Sequence, residues 1–91
     1  MNRTIWKYEI PLQDDITLEM PRGMIPLTVA TQLGKICLWA EVDPSQPKEP
    51  HHFRLAGTGH PLPEGVRVDY IGTVFVQGGY LVFHLYQKGG A

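Results

Sequence analysis

The segment Gly57-Thr58-Gly59-His60-Pro61 combines a flexible backbone with a hydroxyl group and an imidazole. Two glycines around a threonine can turn backbone N–H groups toward one point, and short loops bind anions in this way. A Walker-type phosphate loop also needs a lysine and a following helix. This segment contains no lysine, and the residues after it do not predict a helix. The segment is therefore either a structural turn or a loop that contacts a ligand or partner.

Histidines are the next candidates for chemistry, and they occur at His51, His52, His60 and His84. A zinc site needs three or four converging histidine, cysteine or carboxylate ligands. His51 and His52 are adjacent, so on a strand their side chains point to opposite faces. The sequence has no His-x-His or Cys-x-x-Cys pair. We therefore expect no metal site and no cofactor.

Catalysis needs a nucleophile or a proton-transferring pair, and the sequence offers no clear one. Cys37 is the single cysteine and lies in the apolar run 36–42, where a thiol is usually protonated and inert. An enzyme that uses His60 or His84 would need a converging group that the spacing does not reveal. The sequence therefore predicts a protein that is not an enzyme.

The last apolar run places a histidine among aromatic residues. Tyr80, Val82, His84 and Tyr86 alternate with apolar residues, so these four side chains share one face of a strand. That face is either a second buried layer or an exposed surface, and aromatic faces are common at interfaces. The predicted binding residues are Gly57, Thr58, Gly59, His60, Tyr80, His84 and Tyr86.

The elements that carry these residues are predicted to be strands. Hydrophobic residues make up 43% and charged residues 19%, which is typical of a globular domain. Ten glycines and eight prolines separate short apolar runs, many of which alternate with period two. No segment shows a helical period over ten or more residues. We expect one all-β domain over residues 1–91, a small antiparallel β-sandwich or barrel of about seven short strands.

The predicted strands cover residues 3–10, 16–20, 25–31, 36–42, 51–56, 66–76 and 80–86. Hairpin turns are predicted near residues 33–35 and at 77–79, where glycines occur. The run 36–42 is apolar on both faces, which indicates a central strand. Gly72 marks a bulge or a close backbone approach. Residues 43–50 contain three prolines and are predicted to form a projecting loop.

Charge and composition narrow the class of partner. The net charge is −1, from 8 basic and 9 acidic residues, and the basic residues are spread along the chain. Nonspecific nucleic-acid binding is therefore not expected. No apolar run approaches the ~20 residues of a membrane-spanning helix, so we expect no membrane association and a cytoplasmic location. So small a domain has a thin core, and we expect a homodimer or higher oligomer because association buries more apolar surface.

Several short motifs occur in a characteristic order: Trp6-Lys7-Tyr8, Cys37-Leu38-Trp39-Ala40, Val42-Asp43-Pro44, Gly57-Thr58-Gly59-His60-Pro61, Ile71-Gly72-Thr73 and Val82-Phe83-His84. Over nearly its whole length the chain resembles a family of short phage and prophage proteins classed as a domain of unknown function. The resemblance implies a phage or mobile-element origin. It brings no assigned catalytic residues.

Three functions are compatible with this pattern. The first is a non-enzymatic, phage-encoded binding protein in the host cytoplasm, such as a counter-defence factor that sequesters or blocks a host component. A variant is a homo-oligomeric sponge for a nucleotide signal, in which loop amides hold phosphates and an aromatic ring stacks on the base. The alternative is a structural or assembly accessory of the virion. The partner, a host protein or a small ligand, is not identified by the sequence.

Overall fold

Seven strands build the part of the chain that the computed structural model describes, which is residues 2–62, 64 and 68–89. They are β1 (Thr4–Ile10), β2 (Asp15–Pro21), β3 (Ile25–Gln32), β4 (Lys35–Val42), β5 (Lys48–Gly57), β6 (Val68–Val76) and β7 (Leu81–Lys88). The all-β prediction is confirmed, and each predicted strand overlaps one observed strand. The predicted start of the sixth strand, at residues 66–67, lies outside the described residues.

The strands form two antiparallel sheets that enclose one hydrophobic core. The three-stranded sheet has the order β1-β4-β3, and the four-stranded sheet has the order β2-β5-β7-β6. The sheets approach each other most closely at β3 and β6, where Thr31 Oγ1 donates a hydrogen bond of 2.8 Å to the Phe75 carbonyl. The architecture is an open sandwich, which decides between the two predicted forms. Across the described ranges, no helix is long and apolar enough to span a membrane.

The core consists of the side chains that alternate toward the space between the sheets. In β1, Trp6, Tyr8 and Ile10 lie opposite inward-pointing residues of β4. Side chains with no solvent exposure come from both sheets, namely Met20, Leu38, Ala40, Val42, Phe53 and Leu85. Burial of a large apolar side chain contributes about 1.5–3 kcal/mol. A one-residue slip would expose a whole strand's apolar set, so this burial fixes the register.

Strand β4 is central in its sheet, as the sequence predicts. Its outward-pointing residues include Cys37, which is buried and unpaired, and Trp39, which is half-buried. In the β1–β4 register Glu9 lies opposite Cys37 and Lys7 lies opposite Trp39. Long charged side chains thus cover the second apolar face of β4, and no third layer of described residues does so.

The prediction of a projecting loop over residues 43–50 is wrong for residues 48–50, which are strand, while residues 43–47 form a turn that is held to the body. Strand β5 begins at Lys48, and Pro50 pairs with Glu19 of β2. The Arg22 amide donates a 2.9 Å hydrogen bond to the Pro47 carbonyl, which ties the segment to the body. Pro50 is tolerated because β5 pairs with β7 only from Phe53 onward, so at Pro50 one side of the strand needs no donor.

The turn between β4 and β5 is organised by a buried carboxylate. Asp43 is 2% exposed, and its Oδ1 accepts hydrogen bonds from the Ser45 hydroxyl at 2.7 Å and the Ser45 amide at 3.0 Å. These bonds, with that of the hydroxyl foremost, hold the pKa of Asp43 below its ordinary value. The aspartate therefore acts as a structural anchor of the turn.

A bulge in β6 allows the two sheets to approach. The β6–β7 register shifts between Tyr70 and Gly72. A Cβ atom placed on Gly72 would lie 2.9 Å from Val29 Cγ1, which is closer than real Cβ contacts. Val29 is buried in β3, so its methyl group packs directly on the Gly72 backbone. Both functions predicted for Gly72, a bulge and a close approach, are confirmed.

Gly72→Ala should lower the free energy of unfolding by roughly 1–3 kcal/mol, because the stiff valine side chain cannot move away from the added methyl group. Val29→Ala should cost a similar amount through the cavity it leaves. In the double variant the new methyl fills that cavity, so the combined loss should be clearly smaller than the sum. Urea unfolding of the four proteins measures this coupling, and additive losses would contradict the proposed contact.

Candidate functional site

The outer face of the four-stranded sheet carries the predicted site. Strand β7 buries Leu85 in the core, so His84 and Tyr86 point away from it. Strand β6 places its outward residues directly opposite, with Tyr70 facing Tyr86 in the register. We call the surface formed by Tyr70, Thr73, Phe75, Val82, His84 and Tyr86 the aromatic face.

The aromatic face is open to solvent. No other described element packs over it, and Tyr70 and Phe75 are 57% and 60% exposed. His84 and Tyr86 are half-buried within the same sheet. The Tyr70 and Tyr86 rings meet edge to face, with centroids 5.4 Å apart, which is a favoured aromatic geometry. Of the two possibilities left open by the sequence, the structure shows a surface and not a second buried layer.

A chain of polar side chains holds the imidazole of His84 in place. Its Nε2 lies 2.8 Å from Thr58 Oγ1, and its Nδ1 lies 2.9 Å from Thr73 Oγ1. The Tyr70 hydroxyl contacts the same Thr73 oxygen. Hydroxyl groups donate or accept, so the chain satisfies the ring in either protonation state. Both ring nitrogens of His84 thus have a hydroxyl partner within the protein.

The glycine-threonine-glycine segment forms a tight turn. The His60 amide donates to the Gly57 carbonyl at 3.0 Å, and Gly59 has a φ of +87°. The Thr58 amide donates to the Val82 carbonyl at 3.3 Å, which continues the β5–β7 ladder. Two of the amides that an anion-binding loop would use are therefore engaged within the protein. The segment is a structural turn that also brings its side chains to the aromatic face.

The His60 ring lies on the backbone of Gly57. A Cβ atom on Gly57 would be 2.9 Å from His60 Nδ1, so only glycine permits this contact without a shift. Between the turn and β7 lies an open depression of about 140 Å³. It is lined by Ala56, Gly57, Thr58, Gly59, His60, Leu62, His84 and Tyr86. The structure therefore brings six of the seven predicted binding residues together.

Tyr80, the seventh, lies beside this depression and not within it. It follows the β6–β7 turn and is 90% exposed. It lines an adjacent depression of about 240 Å³, whose wall it shares with Thr58 and His60. Tyr80 thus lies near the turn but apart from the depression that the other six residues line.

The sequence prediction does not include the residues of the aromatic face that lie on β6. Strict alternation from Tyr70 would put residues 72, 74 and 76 on its face. The bulge at Gly72 shifts this phase, so that Thr73 and Phe75 join Tyr70 instead. The available signal was Gly72 itself, read as a bulge that exchanges the two faces of the strand.

Charged side chains lie at the border of the aromatic face, on β2, β5 and the end of β7. Asp15 Oδ1 binds Lys88 Nζ and also Arg54 Nη1, the latter at 3.3 Å. The hydrogen bond from Lys88 is the main cause that lowers the pKa of Asp15, and Arg54 adds to it. Among the described residues no group of three or more His, Cys, Asp or Glu side chains is placed to hold a metal ion.

Lys88→Met should raise the pKa of Asp15 toward its ordinary value, because the main partner of the carboxylate is lost. A carboxylate whose pKa is lower in the folded state stabilises the fold above its unfolded-state pKa, and this contribution disappears as the pH falls through the folded-state pKa. The stability difference from the wild type should therefore exist at neutral pH and vanish in acid.

Carbon-13 NMR titration of Asp15, with unfolding measured at several pH values, tests this expectation. Lys35→Met on the other sheet is the matched control and should leave the Asp15 titration unchanged. An Asp15 pKa that is equal in the wild type and in Lys88→Met would show that the ion pair does not form.

Comparison with known proteins places the chain in a family. No curated protein and no solved structure gives a significant match. One family model matches residues 1–91, which is the whole of the sequence. This confirms the predicted relationship to a domain of unknown function. The chain belongs to the family described as "Domain of unknown function (DUF7352)".

Proposed function

We propose that the protein is a non-enzymatic binding protein that holds a partner protein on the aromatic face and the adjoining turn. The observation that carries the proposal is the distribution of residue types across this sheet. Aromatic residues are concentrated on the β6–β7 side, whereas β2 and β5 carry charged groups such as Asp15 and Arg54 and the hydrogen-bonded pair Thr17–His52. Protein interfaces have the same anatomy, with aromatic residues enriched and charges depleted at the centre.

The outer face of the three-stranded sheet is different in character. Arg3 pairs with Glu41, and Lys35 Nζ lies 3.6 Å from Glu9 Oε2. Such exposed ion pairs contribute little to stability and suit a solvated surface. This face also exposes the aliphatic residues Ile5 and Ile25, whereas Tyr70 and Phe75, which are aromatic and more than half exposed, lie on the other sheet. These two rings favour the aromatic face as the surface used for binding.

The placement of reactive groups supports a role without turnover. The imidazole of His84 is held by two hydroxyl groups, and neither partner is the carboxylate that orients the histidine in a hydroxyl–histidine–carboxylate triad. Cys37 is buried in the other sheet, and its thiol contacts the Lys35 carbonyl at 3.8 Å. The carboxylates of Asp14 and Asp15, at the border of the aromatic face, are paired with Arg54.

The resemblance to short phage and prophage proteins extends the proposal to a partner. Small rigid proteins act by occupying a surface, so a phage-encoded member would sequester or block a host component as a counter-defence factor. A virion accessory would instead use the aromatic face to pack into the particle. Mass spectrometry of purified virions separates these roles, because a counter-defence factor acts in the host cytoplasm and is absent from particles.

Phe75→Ala and Tyr70→Ala should each weaken partner binding by about 30-fold or more, as expected for aromatic residues at the centre of an interface. Both side chains are more than half exposed, so their truncation should leave the fold intact. Ile25→Ala is the matched control, since Ile25 is 49% exposed on the other sheet.

The measurement begins with quantitative capture from phage-infected cells, followed by calorimetric titration of the purified partner against each variant. The proposal predicts loss of affinity for the two aromatic variants and wild-type affinity for the isoleucine variant. Unchanged affinity for both aromatic variants would exclude the aromatic face as the binding surface.

Cyclic dinucleotides and ADP-ribose derivatives should leave the thermal midpoint unchanged. A ligand that binds only the folded protein raises stability with its concentration, so a thermal-shift series detects it. The amides of Thr58 and His60 are engaged internally, which leaves few donors for a phosphate. A rise of several degrees with any of these compounds would contradict the protein-binding proposal and favour the nucleotide sponge.

A further inference from the structure

The sandwich has two kinds of strand edge. The edges of β3 and β6 face each other and are joined by the hydrogen bond from Thr31 to the Phe75 carbonyl. The outer edges of β1 and β2 have no strand partner among the described residues. An unpaired edge presents a row of N–H and C=O groups that can pair with a strand from another chain.

We propose that β1 pairs antiparallel with β1 of a second copy of this chain, so that two three-stranded sheets join into one six-stranded sheet. The aromatic face lies on the other sheet of each copy and stays accessible. The inference is therefore independent of the proposed function, and either one can fail without the other.

The register follows from the strand period and the charges. Residues that lie opposite each other in a continuous sheet point to the same face, so two copies of one strand pair only at positions an even number apart. A two-fold axis at Lys7 would oppose two lysines, and an axis at Trp6 would need Arg3, which is already bound to Glu41 and the Gly23 carbonyl within its own chain. An axis at Tyr8 instead places Lys7 opposite Glu9 of the partner subunit, and symmetry makes this pair twice.

The charge pairs are available for this contact. Lys7 and Glu9 are exposed and point to the outer face. Within one chain Lys7 Nζ donates to the neutral Gln32 amide oxygen at 2.8 Å, and Glu9 lies 3.6 Å from an exposed Lys35. A lysine on an edge strand usually discourages pairing. Here Glu9 lies two residues from Lys7 and can pair with Lys7 of a second copy. The lysine therefore favours one register of pairing.

The inner face fits the same register. Tyr8 would lie opposite Tyr8 of the partner subunit, and Trp6 opposite Ile10 of the partner subunit. Both aromatic residues pack against the core, yet they are only partly buried in a single chain because they lie on an edge strand. Cross-strand pairs of aromatic and β-branched residues stabilise a sheet. Pairing of β1 would thus cover what the single sandwich leaves open.

The other free edge offers no attractive charge pair to a second copy. The outward residues of β2 are Asp15, Thr17 and Glu19, and none is basic. A two-fold axis at Thr17 places Asp15 opposite Glu19 of the partner subunit. An axis at Glu19 places the two copies of Glu19 opposite each other. Asp15 is also engaged by Lys88 within the chain. Charge complementarity therefore selects β1.

Charge reversal tests both the interface and its register. The wild type should be a dimer by sedimentation and native mass spectrometry. Lys7→Glu or Glu9→Lys replaces two attractive cross-strand pairs with two repulsive ones and should weaken dimerisation roughly tenfold. The double variant Lys7→Glu/Glu9→Lys restores attraction in this register and should dimerise like the wild type.

The controls separate this contact from other associations. Glu19→Lys on β2 should leave the dimer unchanged, and circular dichroism should show that every variant is folded. A monomeric wild type at high micromolar concentration would overturn the proposal. Failure of the folded double variant to recover dimerisation would exclude the register, and dissociation by Glu19→Lys would assign the interface to β2.

Discussion

Burial of alternate side chains between two sheets is the constraint on which the rest of this structure depends. On a strand, each inward residue commits its neighbours to the outside. Burial of Leu85 in β7 thereby places His84 and Tyr86 on the outer surface, and burial of Ile36 and Leu38 in β4 turns Cys37 outward. The same alternation that fills the core therefore decides which residues lie on the two outer faces. Where an outer face carries residues that water disfavours, such as exposed aromatic rings, its composition is informative about function.

This constraint explains what the sequence could predict. Strands β1, β2 and β7 alternate regularly, and their apolar residues define the inner face without knowledge of their partners. Strand β6 does not, because the bulge at Gly72 exchanges its faces in mid-strand. The predicted loop extended three residues too far for a different reason. Pro50 suggested that the loop continued, but a strand that has one neighbour at that point loses no ladder bond to a proline.

The sequence predicts which residues of β7 and of the turn belong to the site. It does not predict the contacts that these residues make. Alternation alone groups Tyr80, His84 and Tyr86, and two glycines mark the turn around Thr58. The hydrogen bonds of His84 need the register of β6 against β7 and the position at which β5 ends, and both are set by tertiary packing. A histidine with two hydroxyl partners therefore looks, in the sequence alone, the same as one with none.

Satisfied polar groups make the aromatic face suited to burial beneath a partner. A polar side chain covered without a hydrogen-bond partner costs free energy, which ordinarily penalises a surface that contains imidazole and hydroxyl groups. Here Thr58, His84 and Thr73 bond to one another, so a partner can cover them without having to replace those bonds. The same bonds hold the side chains in one arrangement before binding, which reduces the entropy lost on association. Exposed Tyr70 and Phe75 lie beside this rigid polar chain and supply apolar contact area. In the proposed complex affinity would come from these two rings, while the hydrogen-bonded histidine would keep the surface around them in one arrangement.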